Sequence, residues 1–345
     1  MTLSQTLRRF SAVTRMAEFP ETPTPCPEEK LPEISARTRS LALWFVLFLL
    51  APGIRAQSGG PAQFLFTVNA GQNHVIVTYS VDQTTGTLTT PAGVTPAPMR
   101  ALPYPVPSAV NPAGTFLFVP SQNSSSLSAV SVFAISSTGA LTELAASPFS
   151  ASDSTVPLSL AVSVDGQYLY AASAPDNASP LTAILNVYSI GSDGTLTPVA
   201  NYPLPQLAGF LYMHPTGRWL YVYGRGDTLT SSIERFTVGP SGTLTDNGAF
   251  LLPQFSDPSK ALVGDNSGKY LYALHGQFSG PATMIDTLSV NGASGALSLV
   301  STYSTTAPAS LQPEYEAVDS TGGFLYSTFA NFSISKGILT SIQSN

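Results

Sequence analysis

Three histidines, His74, His214 and His275, and one cysteine, Cys26, are the readiest sources of proton-transfer or nucleophilic chemistry in this chain. His214 opens His214-Pro215-Thr216-Gly217, a place that Asp or Asn takes in sister segments, so it reads as a turn residue. His74 and His275 fall in connections and are candidates for lining a ligand site. No His-x-His or His-Glu-x-x-His spacing occurs, so neither a metal nor another cofactor is expected. Arg100, Arg225 and Lys260 are the cations on similar connections. Arg225-Gly226-Asp227 forms an RGD tripeptide, but Gly and Asp are ordinary loop residues, so Arg225 and Asp227 stand simply as ligand-binding candidates. Glu314 and Glu316 lie two apart, a pairing that suits cation binding or acid–base work, against the alternative of a solvated linker. Asp153 and Asp257 are uncommitted acids on other linkers. No Gly-x-Ser-x-Gly elbow marks a serine nucleophile.

The elements that must hold these residues are written as a repeat. An aromatic-Leu-aromatic run recurs at Phe64, Phe116, Tyr168, Trp219, Tyr270 and Phe324. A Gly-x-Leu-Thr/Ser signature follows each, from Gly86-Thr87-Leu88-Thr89 to the looser Gly337-Ile338-Leu339-Thr340. A period of roughly 50 residues with all-β composition implies a β-propeller of four-stranded antiparallel blades. Six repeats are present, the first without its A strand, so six blades or an incomplete seven are expected. Strand A ends in an Asx-Pro-x-Gly turn, strand B is the aromatic run, strand C alternates, and Gly-x-Leu-Thr turns into strand D. Up-and-down strands place the short A–B and C–D turns on one face. The B–C loops (69–74, 121–128, 174–182, 224–231, 275–283) and D–A linkers (90–107, 302–313 among them) share the other, which is where binding residues gather.

Upstream, Arg37-Thr38-Arg39 precedes eleven apolar residues and a small residue at Ala56, the pattern of a signal peptide over 37–56 cleaved near Ala56-Gln57. The run is too short to span a bilayer, so no membrane span is expected after cleavage. Residues 1–36, rich in Pro and Glu, read as a disordered extension or an upstream misassigned start, and 60–345 as one propeller domain. Cleavage would also remove Cys26, excluding disulfides and thiol catalysis. Seven of the 14 basic and five of the 20 acidic residues precede position 57, so the remainder carries a net −8. An acidic body of this kind argues against nucleic acid as a partner.

Asn111-Pro112-Ala113-Gly114-Thr115-Phe116-Leu117-Phe118-Val119 and the matching run from His214 to Val222 resemble the DPxGxFLYV block of bacterial lactonase-type propellers, the 6-phosphogluconolactonase-like family, and of YVTN-repeat surface propellers. The resemblance covers about residues 60–340. It implies a usually seven-bladed ring and hydrolysis of a lactone, an internal carboxylic ester. The residues that carry that chemistry in the family are replaced here: Gly209-Phe210 stands at an Arg-His position, Tyr223-Gly224 at an Asn-Glu pair, and Val156-Pro157-Leu158-Ser159 at a Pro-His-x-His region.

Two functions are therefore expected in competition. The favoured one is a monomeric, secreted, periplasmic or cell-surface propeller binding a small molecule, carbohydrate or surface protein through its long-loop face. The other is a diverged sugar-lactone hydrolase. A phosphorylated substrate fits poorly with so few cations.

Overall fold

The computed structural model describes residues 63–69, 74–82, 87–100, 107–122, 128–150, 155–175, 183–204, 207–225, 230–277, 282–306, 316–319, 321–327 and 330–344. All of them lie in one compact unit, Trp44–Asn345; the other unit, Met1–Leu43, lies outside the described residues, as do the expected extension and signal segment. No helix occurs among the described residues.

Six antiparallel blades follow one another along the chain. Blade 1 comprises β1 (Gln63–Asn69), β2 (Val75–Val81), β3 (Leu88–Thr89) and β4 (Ala97–Pro98). Blade 2 comprises β5 (Ala109–Val110), β6 (Phe116–Gln122), β7 (Ser128–Ile135), β8 (Leu141–Glu143) and β9 (Phe149–Ser150). Blade 3 runs β10 (Thr155–Val162), β11 (Tyr168–Pro175), β12 (Ala183–Ile190) and β13 (Leu196–Leu204). Blade 4 begins with β14 (Leu207–Met213), β15 (Trp219–Arg225) and β16 (Thr230–Val238). A single 21-residue strand, β17 (Leu244–Gly264), then closes blade 4 and opens blade 5, which continues through β18 (Tyr270–Gln277), β19 (Ala282–Val290) and β20 (Leu297–Thr306). Blade 6 is β21 (Glu316–Val318), β22 (Phe324–Ser327), β23 (Ala330–Ser335) and β24 (Ile338–Ser344).

Several boundaries differ from those expected. The stretch 90–107 is not wholly linker, because β4 pairs with β2 beside β3, so strand D of blade 1 is split. Blade 2 splits its D strand in the same way, with β8 and β9 both on β7. The linker that would have held Asp257 and Lys260 does not exist: β17 pairs with β16 as far as Phe255 and with β18 from Ser256 onward. Hairpin pairing also persists beyond the expected loop edges, so β11, β15 and β18 run to Pro175, Arg225 and Gln277. Among the described residues β1 pairs with β2 alone, and the residues that would form an A strand for blade 1 lie outside them.

Strand B of blades 2 to 5 is buried on both faces because each of these blades is sandwiched between two others. Leu117, Leu169, Leu220 and Leu271 are fully buried, as are Phe118, Tyr170, Tyr221 and Tyr272. The first aromatic of each of blades 1 to 5 lies over the left-handed glycine of the next blade's C–D turn. A Cβ added to Gly139, Gly194, Gly242, Gly295 or Gly337 would sit within 3 Å of Phe64, Phe116, Tyr168, Trp219 or Tyr270 respectively. The Gly-x-Leu-Thr signature is thus a seat for an aromatic as well as a turn. Each aromatic so covered contributes about 1.5–3 kcal/mol of burial.

Candidate functional site

The long connections of the B–C and D–A face fall mostly outside the described residues, so its chemistry is visible at its margin. His74 is the residue before β2. It is half-buried, has a left-handed φ of 40°, and its Nδ1 finds no partner among the described residues. Such a φ is uncommon outside glycine, though histidine is among the residues enriched there. The His74 carbonyl accepts the Met99 N–H at 2.9 Å, which brings the backbone of Arg100 beside it. Arg100 Nε lies 3.7 Å from Glu143 Oε1 of blade 2, an ion pair too long for a hydrogen bond, with 40% of the arginine side chain exposed. Glu143 Oε1 is occupied instead by the hydroxyls of Ser131 (3.1 Å) and Ser147 (2.7 Å). His74 thus adjoins the Arg100 segment through its backbone and Arg100 faces Glu143, a rim cluster in which His74 Nδ1 and Arg100 Nε have no hydrogen-bond partner among the described residues.

Other expected residues lie elsewhere. His275 is not in a loop: it sits within β18, fully buried, its Nε2 3.1 Å from Asp286 Oδ2. Asp286 Oδ1 accepts the Thr302 hydroxyl at 2.5 Å, so this His–Asp–Thr chain ties strands B, C and D of blade 5 together. Glu316 opens β21 and is buried with neither carboxylate oxygen partnered among the described residues. It stands three residues before the A–B turn, where blades 3, 4 and 5 carry the buried Leu160, Leu211 and Leu262. Burial pushes its carboxyl well above the usual carboxylate range. Burial likewise pushes the Tyr223 hydroxyl up, with Asp286 and Glu316 adding to the effect. Arg225 ends β15, and Asp257 and Lys260 lie within β17. Asp153, Asp227 and Glu314 lie outside the described residues.

His214 holds the turn expected of it. Its Nε2 donates to the Gly268 carbonyl of the next blade's A–B turn at 2.9 Å, while Nδ1 accepts the Thr216 N–H at 3.2 Å. The ring packs edge-on to Trp219 at 4.8 Å, and burial lowers its pKa, which favours this neutral form.

A row of buried polar residues escaped the motif search. Ser131, Asn186, Glu234 and Asp286 occupy one register position on strand C of blades 2–5, two residues before Phe133, Tyr188, Phe236 and Leu288. The Ser131 hydroxyl lies 3.0 Å from that of Ser121, Asn186 donates to Ser173 (3.4 Å), and Asp286 meets His275. In blade 4 the strand-B position equivalent to Ser121, Ser173 and His275 is Gly224, and burial, then Asp246, raises the Glu234 carboxyl. That constant offset was the available signal. Among the described residues, the best-defined hollow lies at the β-bulge of blade 3, lined by 186–188 and 198–201. Its volume of about 140 Å³ is below the ~300 Å³ of a small-ligand pocket. No group of three or more potential metal ligands occurs among the described residues, and no helix there is long and apolar enough to cross a membrane.

A polar rim over a stack of four-stranded blades defines the class, and solved structures share the fold. A Bacteroides uniformis protein assigned as a 6-phosphogluconolactonase aligns with a TM-score of 0.63 and 17% identity, over 83% of this chain and 82% of its own. The periplasmic gluconolactonase of Pseudomonas aeruginosa aligns with a TM-score of 0.53 and 17% identity, over 82% and 95%. Kuenenia stuttgartiensis hydrazine synthase aligns with a TM-score of 0.54 and 19% identity, over 76% and 70%. No family model and no curated protein matches the sequence. At such identities the likeness is one of architecture: this is a lactonase-like β-propeller in fold.

Proposed function

We propose that this protein is an exported propeller that binds a small anionic or polyhydroxylated ligand, a sugar acid or related carbohydrate, at the rim held by His74, Arg100 and Glu143. The observation that carries it is the exposed Arg100 guanidinium, held 3.7 Å from a carboxylate whose Oε1 two serines already occupy. Such a guanidinium has fork-shaped donors to offer a carboxylate. Export rests on the basic-apolar-small pattern over 37–56 and is in keeping with the periplasmic neighbour. Calorimetric titration with gluconate tests the binding. Saturable binding is expected, weakened roughly tenfold in Arg100→Ala, since a charge-assisted contact contributes about 1.5 kcal/mol or more. Heats that do not saturate, or an unaffected Arg100→Ala, would sink it.

The second function, lactone hydrolysis, is favoured by the unpartnered His74 Nδ1 beside that cation. A base to activate water and a cation for the developing carboxylate are what the reaction needs. Turnover of gluconolactone above the buffer rate, lost in His74→Ala, would establish it. Turnover indistinguishable from buffer leaves the binding function standing.

A further inference from the structure

Asn247-Gly248 and Asn291-Gly292 are the two Asn-Gly pairs among the described residues. Such a pair is the least hindered place for a backbone nitrogen to attack an asparagine side chain, because the attacking residue has no Cβ. The two pairs are built differently. Asn291 closes the C–D turn of blade 5: its Oδ1 accepts the Ala293 and Ser294 N–H groups at 3.0 Å each, and its carbonyl accepts the Gly295 N–H at 2.7 Å. Attack there would undo the turn, and no carboxylate meets the Gly292 N–H among the described residues.

Asn247 lies in a bulge of β17 opposite Arg235, where the register slips between Glu234 and Phe236. Its counterparts in blades 3, 5 and 6 are Val199, Val300 and Ile342, the extra residues of their own D-strand bulges, 41% to 56% exposed. Only blade 4 puts an amide and a glycine there. Three contacts converge on the pair. The Thr237 hydroxyl donates to Asn247 Oδ1 at 2.6 Å, the Gly248 N–H donates to Asp246 Oδ1 at 2.7 Å, and Arg235 Nη2 donates to the Asn247 carbonyl at 3.0 Å. Gly248 holds a left-handed φ of 81° with nothing within 4 Å of where a Cβ would stand. A hydroxyl thus polarises the amide carbonyl, the nucleophile's proton already points at a carboxylate, and the space around the glycine is open.

We propose that Asn247-Gly248 is a self-modification site, at which the chain converts its own asparagine to aspartate and isoaspartate with water as co-reactant. Gly248 N bonds to Asn247 Cγ as its proton passes to the Asp246 carboxylate. The Thr237 hydroxyl stabilises the oxyanion formed at Oδ1, as a positioned donor does in acyl transfer. Asp246 returns the proton to the departing nitrogen, the bond from Cγ to that nitrogen breaks, ammonia leaves and a cyclic imide remains. Water opens the ring at either carbonyl, giving aspartate or isoaspartate. The new carboxylate arises beside Arg235, whose Nε has no partner among the described residues, so the added charge meets a cation. The isoaspartyl form also adds a backbone atom to β17, the strand shared by blades 4 and 5.

Incubation of the purified chain at neutral pH, followed by peptide mapping with mass spectrometry, is the test. The peptide carrying Asn247 should gain the mass difference between an amide and an acid and split into two isomers. It should do so at least about tenfold faster than the peptide carrying Asn291, a modest share of what positioned acid–base groups contribute. Thr237→Val and Asp246→Ala, both at exposed positions where folding is not at issue, should each slow the conversion several-fold and leave Asn291 as it was. In urea the lead of Asn247 over Asn291 should shrink, because only the native bulge supplies the Thr237 hydroxyl. Three results overturn the proposal: no conversion at Asn247, equal native rates at the two asparagines, or a rate that neither substitution changes.

Discussion

Glu316 is the residue most at odds with its surroundings. Its siblings in blades 3 to 5 are leucines, its oxygens are unpartnered among the described residues, and burial raises its pKa. A raised carboxyl contributes stability that is present below the ordinary value near 4.5 and is lost as pH rises through the folded value. Glu316→Leu should therefore stabilise the protein at pH 8 by about 1–4 kcal/mol, the range for replacing a buried charge with a packed aliphatic. At pH 4 the gain should be smaller, because the wild-type carboxyl is then neutral in both states. Urea melts at the two pH values measure this; equal gains would show that the carboxyl titrates ordinarily. The sequence set cation or acid–base chemistry against a solvated linker for Glu316, and its burial in β21 corrects the linker, since burial depends on which neighbouring blade the strand faces. His275 was misjudged for a related reason. Gly276 looks like the start of a loop, yet it pairs with Thr283, and that pairing carries His275 into the sheet.

At the scale of elements, the glycine seat is the repeat's main device. Gly242 has a φ of 69°, and a Cβ there would lie 2.4 Å from Tyr168. Gly93 has a φ of 76° with nothing within 4 Å. Gly242→Ala should cost about 2–4 kcal/mol, combining left-handed strain with overpacking, and Gly93→Ala only about 1–2. Comparable losses in thermal melts would mean that the aromatic simply moves aside. The signature itself was legible in the sequence, as was the order of strands A to D. Its partner was not: the aromatic that fills each seat lies in the preceding repeat, 67 to 78 residues upstream, as for Tyr270 and Gly337 or Phe116 and Gly194. Short-range turn chemistry is written locally, whereas blade-to-blade packing emerges only once the sheets stand face to face.

For the whole molecule, one architecture is shared by proteins whose names denote gluconolactonase and hydrazine synthase activity, so the ring of blades says little about chemistry. The short turns were legible in the sequence: Asn111–Gly114 and Gly191–Gly194 each close on a backbone hydrogen bond from the glycine N–H. The rim cluster was half visible, because His74 and Arg100 were singled out while Glu143 was not. Glu143 follows Gly139-Ala140-Leu141-Thr142, where the repeat offers no reason to expect an acid. One join also departs from the repeat altogether. β17 leaves blade 4 and enters blade 5 without interruption, changing hydrogen-bond partners between Phe255 and Ser256. The described strands of the other blades are separate, but here one unbroken extended strand couples two hydrogen-bonded sheets. Blades 4 and 5 should thus open as one cooperative unit. In native-state hydrogen exchange the amides of β16 and β18 are expected to share a single opening free energy and denaturant dependence. Two distinct isotherms would mean that the strand bends at its crossing and the sheets part independently. If they open together, the propeller's resistance to unfolding is concentrated in that double blade.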